Sequence, residues 1–150
     1  MARREAEGVS DKSETIGEIV ARHHNREGAL LPILHDVQAA FGCVDAESEA
    51  LVARGINWSR ADVHGVVSFY HDFRQEAEPR PVVQICRAEA CKARGVEALI
   101  DAAHRAAGER VKIETVYCLG LCSAGPAART GDDLHVRLDE GSVARLVESA

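Results

Sequence analysis

The sequence predicts an all-α helical bundle followed by a mixed α/β layer. Two observations carry this. Up to about residue 75 the apolar residues recur at helical spacing. Beyond a polar stretch with two prolines, "QEAEPRP" at 75–81, short β-branched runs alternate with helical ones.

Residues 1–12 are polar and charged on both signs, and are expected to be a flexible tail. From Ser13 onward Ile16, Ile19, Val20 and His23 follow the i, i+3, i+4, i+7 pattern of a helix face. A second helix follows "NREG". Pro32 suits its first turn, Leu30, Leu34, Val37 and Phe41 form its buried stripe, and Gly42 ends it. Asp45 caps a third, short helix with Leu51 and Val52, stopped by Gly55. Ser59, with Asp62 three residues on, starts a fourth whose apolar face is Val63, Val66, Val67 and Tyr70. The bundle is thus expected over 13–76.

The second domain is expected over 77–150. "VVQI" (82–85) reads as a short buried strand and 92–107 as a helix with Val96, Leu99, Ile100, Ala103 and Ala107 inward. "VKIETVY" (111–117) is a β-branched strand. "AART" and "LHVRL" flank "GDD" as a hairpin. Ser142 is expected to cap a final helix bearing Val143, Leu146 and Val147. The order β-α-β-β-β-α, with a crossover helix between the first two strands, describes an α/β layer of thioredoxin type.

Composition narrows the function. Of 150 residues, 46% are hydrophobic, enough for a core. The net charge is −6 with no basic block, so no nucleic-acid footprint is visible. No apolar run approaches membrane-spanning length, and the start lacks the apolar stretch of a signal peptide. A cytoplasmic protein without direct membrane insertion is expected. In a reducing compartment five cysteines point to ligands, redox groups or core positions rather than disulfides.

Four of those cysteines form two pairs. The first strand runs into "CRAEAC", with Cys86 and Cys91 as C-x4-C, and the second into "CLGLC", with Cys118 and Cys122 as C-x3-C. In a right-handed β-α-β crossover both strand ends lie at one sheet edge, so the pairs meet in space. Four convergent thiolates suit an iron–sulfur cluster or zinc. A [2Fe–2S] cluster, wider than one ion, matches two pairs on separate loops and ranks first. Zinc, as in a zinc-stabilised interaction module, ranks second, and unbound thiols or disulfides third. Gly120 is expected to permit close backbone approach to the cluster. A thiol–disulfide oxidoreductase would use C-x-x-C, which neither pair is. No GxGxxG dinucleotide motif is present.

"LLPILHDVQAAFGCV", "SRADVHGVVSFYHDFR", the C-x4-C pair and "CLGLCSAGP" together resemble the thioredoxin-like [2Fe–2S] subunit of NAD-linked redox complexes. That group includes the small peripheral-arm subunit of complex I and the equivalent subunits of NAD-reducing hydrogenases and of cytosolic NAD-dependent, molybdenum-containing formate dehydrogenases. The resemblance implies one [2Fe–2S] cluster on Cys86, Cys91, Cys118 and Cys122. It also implies a partner subunit carrying FMN and the NAD(H) site, with no catalytic residue on this chain. "CRAEAC", Gly125-Pro126 and the short gap between the pairs look more like the formate dehydrogenase gamma subunit, which implies a larger molybdenum-containing partner. The complex I and hydrogenase subunits are the alternatives.

The remaining features have plainer readings. Arg87, Lys92 and Arg94 flank the first pair, where they either offset the cluster's charge or sit as solvated loop residues. Cys43 is expected to be an inert, at least partly buried thiol. No metal spacing links the seven histidines, so His64 and His71 are expected to be satisfied imidazoles. Trp58, Phe69, Tyr70 and Phe73 crowd into one segment; Tyr70 is expected in the core, and Phe69 and Phe73 in the core or on a docking surface. Pro126, between the second loop and a strand, is a candidate for a cis peptide bond.

Overall fold

The structure, a computed structural model, describes residues 2–150, with side chains from Asp11 onward. Two compact units divide at Glu78 and Pro79. Among the described residues no helix is long and apolar enough to cross a membrane.

The first unit holds four helices: α1 (Ala2–His23), α2 (Leu30–Phe41), α3 (Ala46–Gly55) and α4 (Arg60–Phe69). Met1 of the expected tail lies outside the described residues, and the backbone of residues 2–12 belongs to α1. α2 ends where Gly42 turns left-handed at φ 77°, a conformation cheap only without a Cβ. Asp45 caps α3 by accepting the Ser48 amide, and Ser59 caps α4 by accepting that of Asp62. The core is built from Ile16, Ile19, Ile33, Leu34, Val37, Val44, Val52, Val63 and Val67. Glu49 is buried beside it, with His64 Nδ1 3.0 Å from its carboxylate.

Tyr70 departs from the expected core position. α4 stops at Phe69, and Tyr70 takes an extended backbone (φ −90°, ψ 104°) that swings it out of the helical stripe. It is 43% exposed, and Phe73 fills the core instead, 4.9 Å from the His35 ring between centroids.

Lys12 ties α1 to α3: its ammonium lies 2.7 Å from Asp45 Oδ2 and over the Phe41 ring at 5.6 Å. Burial opposes the Asp45 charge, but Lys12 and the Ser48 amide outweigh it and hold the carboxyl at about 2. A carboxyl so depressed stabilises the fold above its unfolded value near 3.9 and loses that contribution as pH falls towards 2. Asp45→Ala is therefore expected to cost about 1 kcal/mol at neutral pH, as loss of a cap does. In urea titrations, the gap to wild type should narrow between pH 4 and 2.

The second unit runs β1 (Val82–Cys86), α5 (Glu89–Ala93), α6 (Val96–Ala107), β2 (Lys112–Val116), β3 (Ala128–Thr130), β4 (Asp133–His135) and α7 (Glu140–Ser149). The sheet order is β2-β1-β3-β4. β1 and β2 pair in parallel, Val82 opposite Lys112 and Cys86 opposite Val116, while β3 runs antiparallel to β1 and β4 to β3. Val83, Ile85, Val96, Leu99, Ala103, Val143 and Val147 form its core.

Two expectations are corrected here. The helix expected over 92–107 is two helices, because Gly95 adopts φ +85° and separates α5 from α6. The last helix is capped by Asp139, not Ser142. Asp139 accepts the Ser142 amide at 2.7 Å, and Ser142 Oγ accepts the Asp139 amide at 2.8 Å.

Candidate metal centre

β1 and β2 end in register at one edge of the sheet, and both cysteine loops leave from there. Cys86 is the last residue of β1, so the sheet fixes its backbone; its amide donates to the Ala127 carbonyl at 2.9 Å. The chain turns through Arg87 and Ala88 into α5, which places Cys91. Both side chains are buried, at 3% and 2% exposure. On the second loop Cys118 has φ +94° and Gly120 φ +76°. Two left-handed residues within three curl the chain back, and for Cys118 that conformation carries strain, which concentrates at functional sites. Gly120 N–H donates to Cys118 Sγ at 3.3 Å. Cys122 opens a single turn of 3-10 helix, Cys122–Ala124. Cys118 and Cys122 are exposed.

All four thiols are free. Cys118 and Cys122 Sγ lie 4.0 Å apart, far beyond a disulfide bond. Metal–thiolate bonds of about 2.3 Å at tetrahedral angles hold two sulfurs roughly 3.8 Å apart, so this pair is close to chelating distance. Cys86 and Cys91 share a hydrogen bond, and Cys122 feels the charges of Cys118 and Cys86. Yet among the described residues no three His, Cys, Asp or Glu side chains gather as a single ion needs. Each loop brings its own two sulfurs together, Cys86 with Cys91 and Cys118 with Cys122.

The surroundings favour thiolate most at Cys86. Burial opposes its charge, but the backbone at Ala88, Leu119 and Cys118 and the Cys91 thiol outweigh burial and pull its pKa below the ordinary thiol value. Cys91 is pushed up by burial and by Cys86, against a backbone hydrogen bond at Ala127. Cys122 is pushed up by its hydrogen bond to Cys118 and by the charge there. Like charges crowding one another in this way are what a cationic centre would relieve.

Gly120 makes the left-handed turn, and no atom of the chain lies within 4 Å of a Cβ built on it. Close approach occurs at Gly125. Its backbone (φ −65°, ψ 167°) is open to any residue, but a Cβ there would stand 3.1 Å from Cys91 Sγ. The "AGP" motif marked that glycine, but not the sulfur it faces. Gly125→Ala is expected to retain iron yet shift the EPR g-values of the reduced centre, because the Cys91 sulfur must give by a few tenths of an ångström. The Gly125-Pro126 peptide is cis.

Of the three flanking cations, Arg87 is neutralised by Glu97 through two contacts, 2.9 and 2.6 Å. Lys92 lies 3.7 Å from Glu89. Arg94 makes no ion pair among the described residues, and its Cδ lies 3.5 Å from the Gly125 Cβ position.

Fold and site together define a thioredoxin-type layer with four free thiols at the edge where its parallel strands end. The chain belongs to the thioredoxin-like [2Fe–2S] ferredoxin family, whose model matches residues 16–150. It is 28% identical over 131 residues to the NADP-reducing hydrogenase subunit HndA of Solidesulfovibrio fructosivorans, covering 81% of this chain and 77% of that one. It is 30% identical over 145 residues to an NADH-quinone oxidoreductase subunit of Rhizobium meliloti, covering 91% and 86%. Among solved structures it is similar to an air-oxidised NAD+-reducing [NiFe]-hydrogenase, with a TM-score of 0.67 and 25% identity over 80% of this chain. The match spans only 22% of that longer hydrogenase chain.

Proposed function

We propose that Cys86, Cys91, Cys118 and Cys122 hold one [2Fe–2S] cluster, and that the chain is an electron-transfer subunit of an NAD-dependent oxidoreductase. The observation that carries this reading is the arrangement of four free thiols as two pairs, one buried and one exposed, at a single sheet edge. The donor set fits: soft thiolates, backbone hydrogen bonds on Cys86, and a glycine rather than a larger residue against the Cys91 sulfur. Such a cluster passes one electron at a time, whereas hydride exchange with a nicotinamide moves two, and a flavin converts between them. The partner is then an FMN- and NAD(H)-binding subunit. Cys86 and Cys91 anchor the centre in the core, and Cys118 and Cys122 keep its other side within reach of that partner. The backbone hydrogen bonds on Cys86 offset part of the charge there.

For the parent complex we favour a cytoplasmic NAD-dependent formate dehydrogenase with a molybdenum-containing catalytic subunit, supported by "CRAEAC" and Gly125-Pro126. The second reading, a hydrogenase or NADH-quinone oxidoreductase subunit, is supported by the names of the relatives.

The chain purified without air should be red-brown, with about two irons and two labile sulfides per chain and a midpoint near −400 mV, as for other all-cysteine [2Fe–2S] proteins. A colourless, zinc-bearing protein would overturn the reading. Metal analysis of the complex recovered on a tagged chain identifies the parent: molybdenum marks formate dehydrogenase, and nickel marks hydrogenase.

A further inference from the structure

The helical unit contains a cavity of about 560 Å³ that the cluster has no use for. It opens where the end of α1, the start of α2 and the α3–α4 turn meet, over an apolar base that includes Val20, Ile33 and Val66. Trp58 and Tyr70 line it and remain 54% and 43% exposed. Phe69, 74% exposed, packs edge-on against Tyr70 at 5.1 Å. Three of the chain's six aromatics thus stand in water around one opening. Exposed aromatics grouped in this way mark interaction sites, and Trp and Tyr are the commonest anchors of binding energy.

Charge narrows the occupant. The chain carries −6 overall, yet every charged or titratable residue lining this cavity apart from Tyr70 is basic: His23, His24 and Arg26. His23 is committed to Asp36 at 2.9 Å. Arg26 has no acidic partner among the described residues. α2 also begins at the cavity with no side-chain cap and no acidic residue in its first turn, so its positive end is not offset there.

We propose that this cavity seats a carboxylate-bearing apolar segment of a partner subunit. An aromatic or aliphatic side chain of that segment packs against Trp58 and Tyr70, and an adjacent Asp or Glu meets Arg26 and the start of α2. The proposal rests on reading the chain as a subunit of a larger assembly, but not on its cluster.

Trp58 is the only tryptophan, so it reports on the cavity directly. The probes are 4-phenylbutyrate and its uncharged analogue 4-phenylbutyramide. The acid should change Trp58 emission saturably, bind about tenfold more tightly than the amide, and lose about the same factor in Arg26→Ala. The full chain labelled with 5-fluorotryptophan, assembled with its native partners, should show a shifted fluorine resonance and no further response to the acid. Arg26→Glu should weaken assembly at unchanged iron content. Equal affinity for acid and amide, or an unchanged response to the acid within the assembled complex, overturns the proposal. So does a small organic acid found by mass spectrometry in the purified chain, which would assign the cavity to a free ligand. A chain that lacks iron but passes these tests would sink only the cluster reading.

Discussion

Cys91→Ser is expected to yield a folded chain that retains almost none of its iron, while Cys122→Ser keeps a measurable fraction. The two positions differ in what can replace the lost sulfur. Cys91 is 2% exposed, packed under Gly125 and within the core. A serine hydroxyl there is shorter, replaces a soft thiolate donor with a weakly acidic oxygen, and has little water beside it to complete the coordination. Cys122 is exposed on its 3-10 turn, so solvent or the serine oxygen can take the vacant place. Iron and sulfide should fall from about two of each per chain towards zero in the first variant and by a smaller margin in the second. Cys43→Ser, at a half-buried thiol in the helical unit, should change neither figure and serves as the control. Equal retention in all three would mean that the four cysteines are not the ligands.

The site was more legible than its fine geometry, for a physical reason. Two cysteine pairs at the ends of two β-branched runs define a sheet edge, because parallel pairing through a crossover helix allows little else. The pairing of Cys86 with Val116 follows from it. Backbone conformation is harder to read. The left-handed Cys118 carries no signal, since cysteine does not favour that region. Gly95 sits in a stretch otherwise periodic enough to suggest one continuous helix, yet its φ of +85° divides it. Asp139 and Ser142 are both good caps, three residues apart, and sequence does not rank them when each bonds the other's amide. Tyr70 fits the apolar stripe of α4 by spacing, but the helix ends one residue before it. Gly125 is the clearest miss, because the sulfur it accommodates is distant in sequence and its backbone asks for no glycine.

Leu34→Ala should melt the helical unit and leave the cluster unit standing. Leu34 is fully buried in a core that shares no residue with the core around Val83, Ile85 and Val143. Truncating such a leucine costs about 2–5 kcal/mol, through lost burial and the cavity left behind. Whole domains are stable by only about 5–15 kcal/mol, so the first unit would lose a large share of its margin. Nothing in the second core is touched: its strands, α6 and α7 bury their own apolar faces, and all four site cysteines lie on that unit. Heating should therefore separate into two steps, an early loss of far-ultraviolet helical signal and a later loss of visible cluster absorbance, where wild type shows them closer together. Trp58, on the helical unit, should follow the first step. A single transition lowering both signals together would show that the two units fold as one, and that the cluster depends on the helices for more than docking.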